Sequence, residues 1–145
     1  MSIIRFTPAD ALQTRVIEAG VYPCQVTKIE GPKASKSGKS NSYFVDFQVT
    51  EGKYKGKEKT IVFNTETSSP SLLGDMKFFP VGYLLQVDAA ANGRDIEAVD
   101  YELDTDNLLF HPLDVQWIVV TVEGALANDI VGFLPPGAGA NAPSF

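Results

Sequence analysis

Eight lysines lie between Lys28 and Lys59, with only Glu30, Asp46, Glu51 and Glu58 among them as acids. Lys33, Lys36 and Lys39 fall in GPKASKSGKSN, whose Gly, Ser and Pro content marks a flexible loop. Lys53, Lys55, Lys57 and Lys59 alternate through EGKYKGKEK, where Gly52 and Gly56 read as turn residues and Tyr54 stands between two lysines. This mixture suits the holding of a single nucleic-acid strand: cations track the phosphates, and bases stack on aromatic faces at about 1–3 kcal/mol each. These seven loop and hairpin lysines are the candidate phosphate contacts. Tyr54 and Phe44 are the candidate stacking platforms, with Tyr43 and Phe63 as further aromatics. Taken singly, each lysine serves as well to keep an exposed loop soluble.

Other chemistries find less material. Ser37-Gly38-Lys39-Ser40 ends like a phosphate-binding P-loop, but Lys33 stands where the motif's first Gly belongs and Gly31 lies two residues too early. A strand also follows where that motif needs a helix. His111 is the only histidine and Cys24 the only cysteine, so neither a His-pair metal site nor a Cys-His nucleophile of ordinary geometry can be assembled. No carboxylate spacing singles out a catalytic pair. The expectation is a binding protein without catalysis, metal or cofactor.

The net charge of −6 is unevenly spread. The stretch Lys28–Lys59 carries +4, whereas from Thr60 onward Lys77 and Arg94 face twelve acids. The chain thus has a basic front and an acidic back, and distribution matters more than sum for a polyanion binder. Six of those acids crowd into DIEAVDYELDTD, Asp95 to Asp106, read as a solvated face. A lone cysteine forms no intramolecular disulfide, which fits a reducing compartment. No signal-like run opens the chain and no segment reaches the roughly 20 apolar residues of a membrane span. A soluble, cytosolic protein is expected.

The elements that must position these residues are mostly strands. Val21 to Ile29 alternates, with Pro23 confined to an edge, a bulge or the strand's start. Ser42 to Thr50 has the clearest period of two: Tyr43, Val45, Phe47 and Val49 form an apolar face opposite Phe44, Asp46, Gln48 and Thr50. Phe44 on that polar face either stacks a base or lies under a second packing layer. A third strand spans Thr60 to Asn64. Ser68-Ser69-Pro70 reads as a helix start, with Leu72, Leu73, Met76 and Phe79 on one face, and Val81 to Ala91 as a second helix. Val115 to Glu123 and Asp129 to Leu134 are the last strands, with Trp117 in the core. Thr7-Pro8-Ala9-Asp10 resembles a capped helix start.

Three strands, a helix and two strands give an all-β domain with one or two short helices, in the order of the OB-fold, a five-stranded Greek-key barrel with its helix between the third and fourth strands. The expected division is an N-terminal arm over 1–19, the OB-fold domain over 20–134, and a disordered Pro/Gly/Ala tail over 135–145.

The stretch GVYPCQVTKIEGPKASKSGKSNSYFVDFQVTEGKYKGKEKT resembles the opening of the OB-fold single-stranded DNA-binding proteins of tailed bacteriophages. There a Gly-x-Tyr strand, a Ser/Lys/Gly loop, a strand of alternating aromatics and a Gly-x-Tyr-x-Gly-Lys-like hairpin follow in that order. DTDNLLFHPLDVQWIVVTVEG and NDIVGFLPPG are similar to the family's late strand and closing segment, so the likeness covers residues 20 to 137. The resemblance implies largely sequence-independent coating of single-stranded DNA in phage replication or recombination, in the cytoplasm of a bacterial host. Self-association along the strand and contact with replication proteins would accompany it. The chain departs from the acidic, Phe-ended tails of many such proteins: Phe145 is present, but NAPSF carries no acid. The competing expectation is a β-rich virion or assembly protein that binds no nucleic acid.

Overall fold

The computed structural model describes residues 2–73, 76–93 and 102–138. Within them the chain is mostly β. Strands β1 (Gly20–Ala34), β2 (Asn41–Val49), β3 (Glu58–Asn64), β4 (Ser71–Leu73), β5 (Met76–Pro80), β6 (Pro112–Val122) and β7 (Ala125–Leu134) join in one sheet, ordered β4-β5-β3-β2-β1-β6-β7. Neighbours are antiparallel except β3 and β5, which run parallel. Helices α1 (Pro8–Thr14) and α2 (Tyr83–Asn92) complete the fold, with a 3-10 turn over Thr105–Asn107. Among the described residues no helix is long and apolar enough to cross a membrane.

The sheet curls until its two ends nearly meet, and its inner face supplies the core. Register breaks bend β1 between Val26 and Lys28 and again between Glu30 and Lys33, and bend β6 at Gln116/Trp117; a bulged strand twists more strongly and re-aims its side chains. Alternation then directs Val45, Phe47 and Val49 of β2, Ile61 and Phe63 of β3, and Val115 and Trp117 of β6 inward, all fully buried. Aromatics close the gap between the sheet's ends. The Phe133 ring on β7 lies 5.6 Å from Phe79 on β5 and 5.3 Å from Phe47 on β2. Across the same gap Lys77 Nζ of β5 sits 3.2 Å from Asp129 Oδ2 of β7, with both side chains buried. Helix α2 packs on β6 and β7 with Leu84, Val87 and Ala90 buried, and Gly93 ends it in the left-handed region, which glycine enters without a Cβ clash.

Two expectations are corrected. The sheet has seven strands among the described residues, not five, and the first expected helix, from Ser68 to Pro80, is instead the antiparallel pair β4 and β5. A short apolar run fits helical and strand periods equally. What decides here is the free edge of β3: Ile61, Val62 and Phe63 pair with Lys77, Phe78 and Phe79, which buries Phe79 against Phe63 at 5.7 Å. The second expected helix, Val81 to Ala91, corresponds to α2.

The arm over 1–19 is partly built into the domain. Thr7 caps α1: its Oγ1 accepts from Asp10 N at 3.1 Å, while Asp10 Oδ2 accepts from Thr7 N at 2.8 Å, with Pro8 at the first helical position. Ile17 is fully buried, and its backbone is held at both ends by Asn128, whose Oδ1 accepts from Ile17 N and whose Nδ2 donates to Ile17 O, each at 2.9 Å. Residues 2–6 stay exposed. Of the expected tail, Pro135 to Ala138 makes a turn closed by Ala138 N donating to Pro135 O; 139–145 lie outside the described residues, as does 95–101 of the acidic run.

Candidate nucleic-acid interface

The outward face of the front half of the sheet brings part of the expected site together. Because Val45 and Phe47 point inward, Phe44, Asp46 and Gln48 point out. Pairing extends Phe44 into a row across the sheet: Glu30 of β1, Phe44 of β2, Val62 of β3, Phe78 of β5 and Ser71 of β4 lie side by side. Val62 is 1% exposed although it faces out, and it lies between the half-buried Phe44 and Phe78. Phe44 is therefore one end of a short apolar ridge. It lines a surface cleft of about 200 Å³ with Lys28, Glu30, Lys33, Asp46 and Thr60.

Cations sit at this cleft. Lys33 Nζ lies 5.0 Å above the centre of the Phe44 ring, and Lys28 and Lys33 converge on the Glu30 carboxylate at 2.5 and 2.9 Å. Hydrogen bonds and charge from these two ammonium groups, Lys28 first, hold the Glu30 carboxyl down at about 2. Glu30 therefore stays ionised and stands where an external anion would meet both lysines. Asp46, the other acid of the cleft, accepts from Thr60 Oγ1 at 2.5 Å.

The lysine loops stand at opposite ends of β2. Lys36 and Lys39 are exposed on the turn after β1, which Ser35 N to Ser40 O and Gly38 N to Ser35 O, both 2.9 Å, hold closed. Lys53 and Lys55 are exposed on the turn after β2, where Gly52 and Gly56 adopt positive φ of 87° and 98° as their placement in the sequence suggests. Nine residues of β2 separate the two turns, on the order of 27 Å at the usual strand rise. Lys53 Nζ lies 3.6 Å from Glu18 and 5.0 Å from the Tyr54 ring centre. Among the described residues no ion pair engages Lys36, Lys39 or Lys55.

Four expected positions are placed elsewhere. Lys57 is buried, and its Nζ donates to the carbonyls of Gln13 at 2.8 Å, Arg15 at 2.7 Å and Leu12 at 3.4 Å around the C-terminal end of α1, where the Leu12 carbonyl also accepts from Arg15 N at 3.2 Å. Burial and the charge of Lys59 lower its pKa, while the three carbonyls favour the cation. Lys57 is thus an internal clamp on the arm and lies outside the outward face. Lys59 is half-buried and lines the cavity of about 320 Å³ beneath the arm. Phe63 is fully buried, and Tyr43, its partner across the strands, packs on the same core.

Tyr54 has a partner that its neighbours in sequence do not reveal. Its ring meets Tyr22 of β1 edge-on, centroids 5.7 Å apart at 86°, so it is half-buried against the core edge. In the other direction, sequence reasoning missed Phe78 by placing it on a helix, and Lys28, rightly placed on the first strand, by confining the phosphate contacts to the loop and hairpin. The alternation of Met76 and Phe78 against Lys77 and Phe79 was the available signal. No known protein-family model matches the chain, and no curated protein matches it.

Proposed function

We propose that the protein binds single-stranded DNA, without catalysis and largely without regard to sequence, along the outward face of β1, β2, β3 and β5. The observation that carries this is the Lys33 ammonium 5.0 Å above the outward-facing Phe44 ring, a cation and an apolar platform joined at one open cleft. A nucleotide offers the complement of both: its phosphate draws the ammonium off the ring face, and its base stacks on the face so uncovered. The path runs from Lys36 and Lys39, past Lys33, Phe44 and Phe78, to Lys53 and Lys55. Lys57 holds the arm and takes no part in it.

The order of strands supports an OB-fold reading of the sheet. If β1, β2, β3, β6 and β7 are taken as the five strands of that fold, α2 falls between the third and fourth, and β4 with β5 forms an inserted pair on the edge of β3. The likeness to phage single-stranded DNA-binding proteins then supplies the setting: DNA replication or recombination in the cytoplasm of a bacterial host, with replication proteins as partners. A second reading draws on Ile3, Ile4 and Phe6, which are 79%, 74% and 75% exposed ahead of α1. An apolar arm suits contact between copies, in strand coating or in a β-rich virion or assembly protein that binds no DNA.

Titration of labelled oligo-dT at a series of salt concentrations tests the proposal. Contact with three to five phosphates predicts a slope of log K against log salt of roughly −2 to −4 for a single strand. Absence of binding at low salt would leave the assembly reading, and a flat slope would remove phosphate contact as the basis of affinity.

A further inference from the structure

Phe110 is 63% exposed and stands in the left-handed region at φ 62°. Both features work against folding. A large side chain left in water forgoes the gain of burial, and a bulky residue at positive φ crowds its own backbone, which is why Gly and Asn dominate such positions. The surroundings nevertheless fix this geometry firmly. Phe110 N donates to Val26 O of β1 at 2.7 Å, and Leu109 forms a parallel bridge with Val26. On one side Leu108 is fully buried. On the other the His111 ring bonds Asn92 of α2 at 2.5 Å, and Asn92 Nδ2 in turn donates to Asp88 Oδ1 at 2.7 Å and to Asn107 O at 3.0 Å. A strained conformation held so closely around an exposed ring points to use of the ring.

Its place in the fold says what use. The bridge puts Phe110 against the edge of β1 beyond the end of β6, two residues along β1 from Lys28. Phe44 lies two strand spacings across and three residues along from the Val26–Phe47 pair, on the order of 14 Å from that edge. We infer that Phe110 is a second base-stacking platform, which receives a base of a single strand as it leaves the outward face over β1, with Lys28 between the two platforms as a phosphate contact. This rests on the single-strand reading and extends its path across the sheet, away from β5 and beyond Phe44.

The test uses Phe110→Gly and Phe110→Trp in the full chain, with thermal unfolding followed alongside oligo-dT titration. Phe110→Gly removes the ring and relieves the positive φ, so its melting temperature should equal or exceed the parent's. Its affinity should fall about five- to 150-fold with the salt slope unchanged, the range expected for the loss of one stack. Phe110→Trp should retain affinity, and oligo-dT should quench the new indole, whereas Trp117 is fully buried and out of reach of a bound base. If the parent binds while Phe110→Gly binds equally well, or if Phe110→Gly melts markedly lower, the inference is overturned and the single-strand reading stands. A parent that does not bind oligo-dT overturns both.

Discussion

At the scale of single residues, Glu30 and Cys24 show how position sets chemistry. Glu30 is half-buried and held at about 2 by Lys28 and Lys33, so at neutral pH it occupies the lysines that a phosphate would need. Glu30→Gln should raise oligo-dT affinity roughly two- to five-fold, the scale of one exposed ion pair, and binding isotherms of the two proteins at equal salt check this. Unchanged affinity would mean that Lys28 and Lys33 do not meet the strand. Cys24 is fully buried, and desolvation pushes its thiol from 9.0 up to about 12. The unfolded chain therefore releases this proton first as pH climbs. The thiol's contribution to stability is complete below pH 9 and is lost progressively between pH 9 and about 12. Urea midpoints across that window should fall less for Cys24→Ala than for the parent, each relative to its own value at pH 8.

At the scale of elements, the arm and the β2–β3 hairpin are one unit. Lys57 satisfies three carbonyls at the end of α1, and Gln13 answers from the arm, with Nε2 donating to Gly56 O at 2.7 Å and Oε1 accepting from Glu58 N at 2.9 Å. A lysine read only by its charge belongs with Lys53 and Lys55. Read by its partners, it belongs with the helix. Lys57→Met should lower stability by about 1–3 kcal/mol, the cost of leaving buried acceptors without a donor, and leave the salt slope of binding unchanged. Lys53→Ala with Lys55→Ala should do the reverse, flattening the slope by about 0.7 for each phosphate that the strand no longer has neutralised. Denaturant melts and salt titrations of the same samples separate the two roles.

At the scale of the whole molecule, the sheet's curl is held across its open seam by the Phe63, Phe79 and Phe133 cluster and by the buried pair Lys77 and Asp129. Among the described residues Asp129 Oδ1 has no hydrogen-bond partner, so there the carboxylate is held by Lys77 through its other oxygen. Lys77→Met alone should cost about 3–5 kcal/mol, because it strands a buried charge. Adding Asp129→Leu should recover most of that loss, as apolar replacements of a buried pair often do. Equal stability of the single and double variants in denaturant melts would show that the pair does not tie β5 to β7.

The alternation around Val45 and Phe47, the glycines of the hairpin at 52 and 56, the capping of α1 by Thr7 and the burial of Trp117 were legible in the sequence, because each depends on neighbours within a few residues. Tertiary structure alone decided the fates of Ser68–Pro80, Lys57, Tyr54 and Phe78. A short apolar run becomes strands only where β3 offers an unpaired edge. A lysine is withdrawn from solvent only where a helix forty-odd residues earlier presents carbonyls within reach of its ammonium. Tyr54 is propped by Tyr22, and Phe78 joins Phe44 through Val62, by contacts between strands that are distant in the chain. Local pattern fixes which way a side chain points along its own strand, whereas what stands opposite it is set by pairing and closure, which no local window contains.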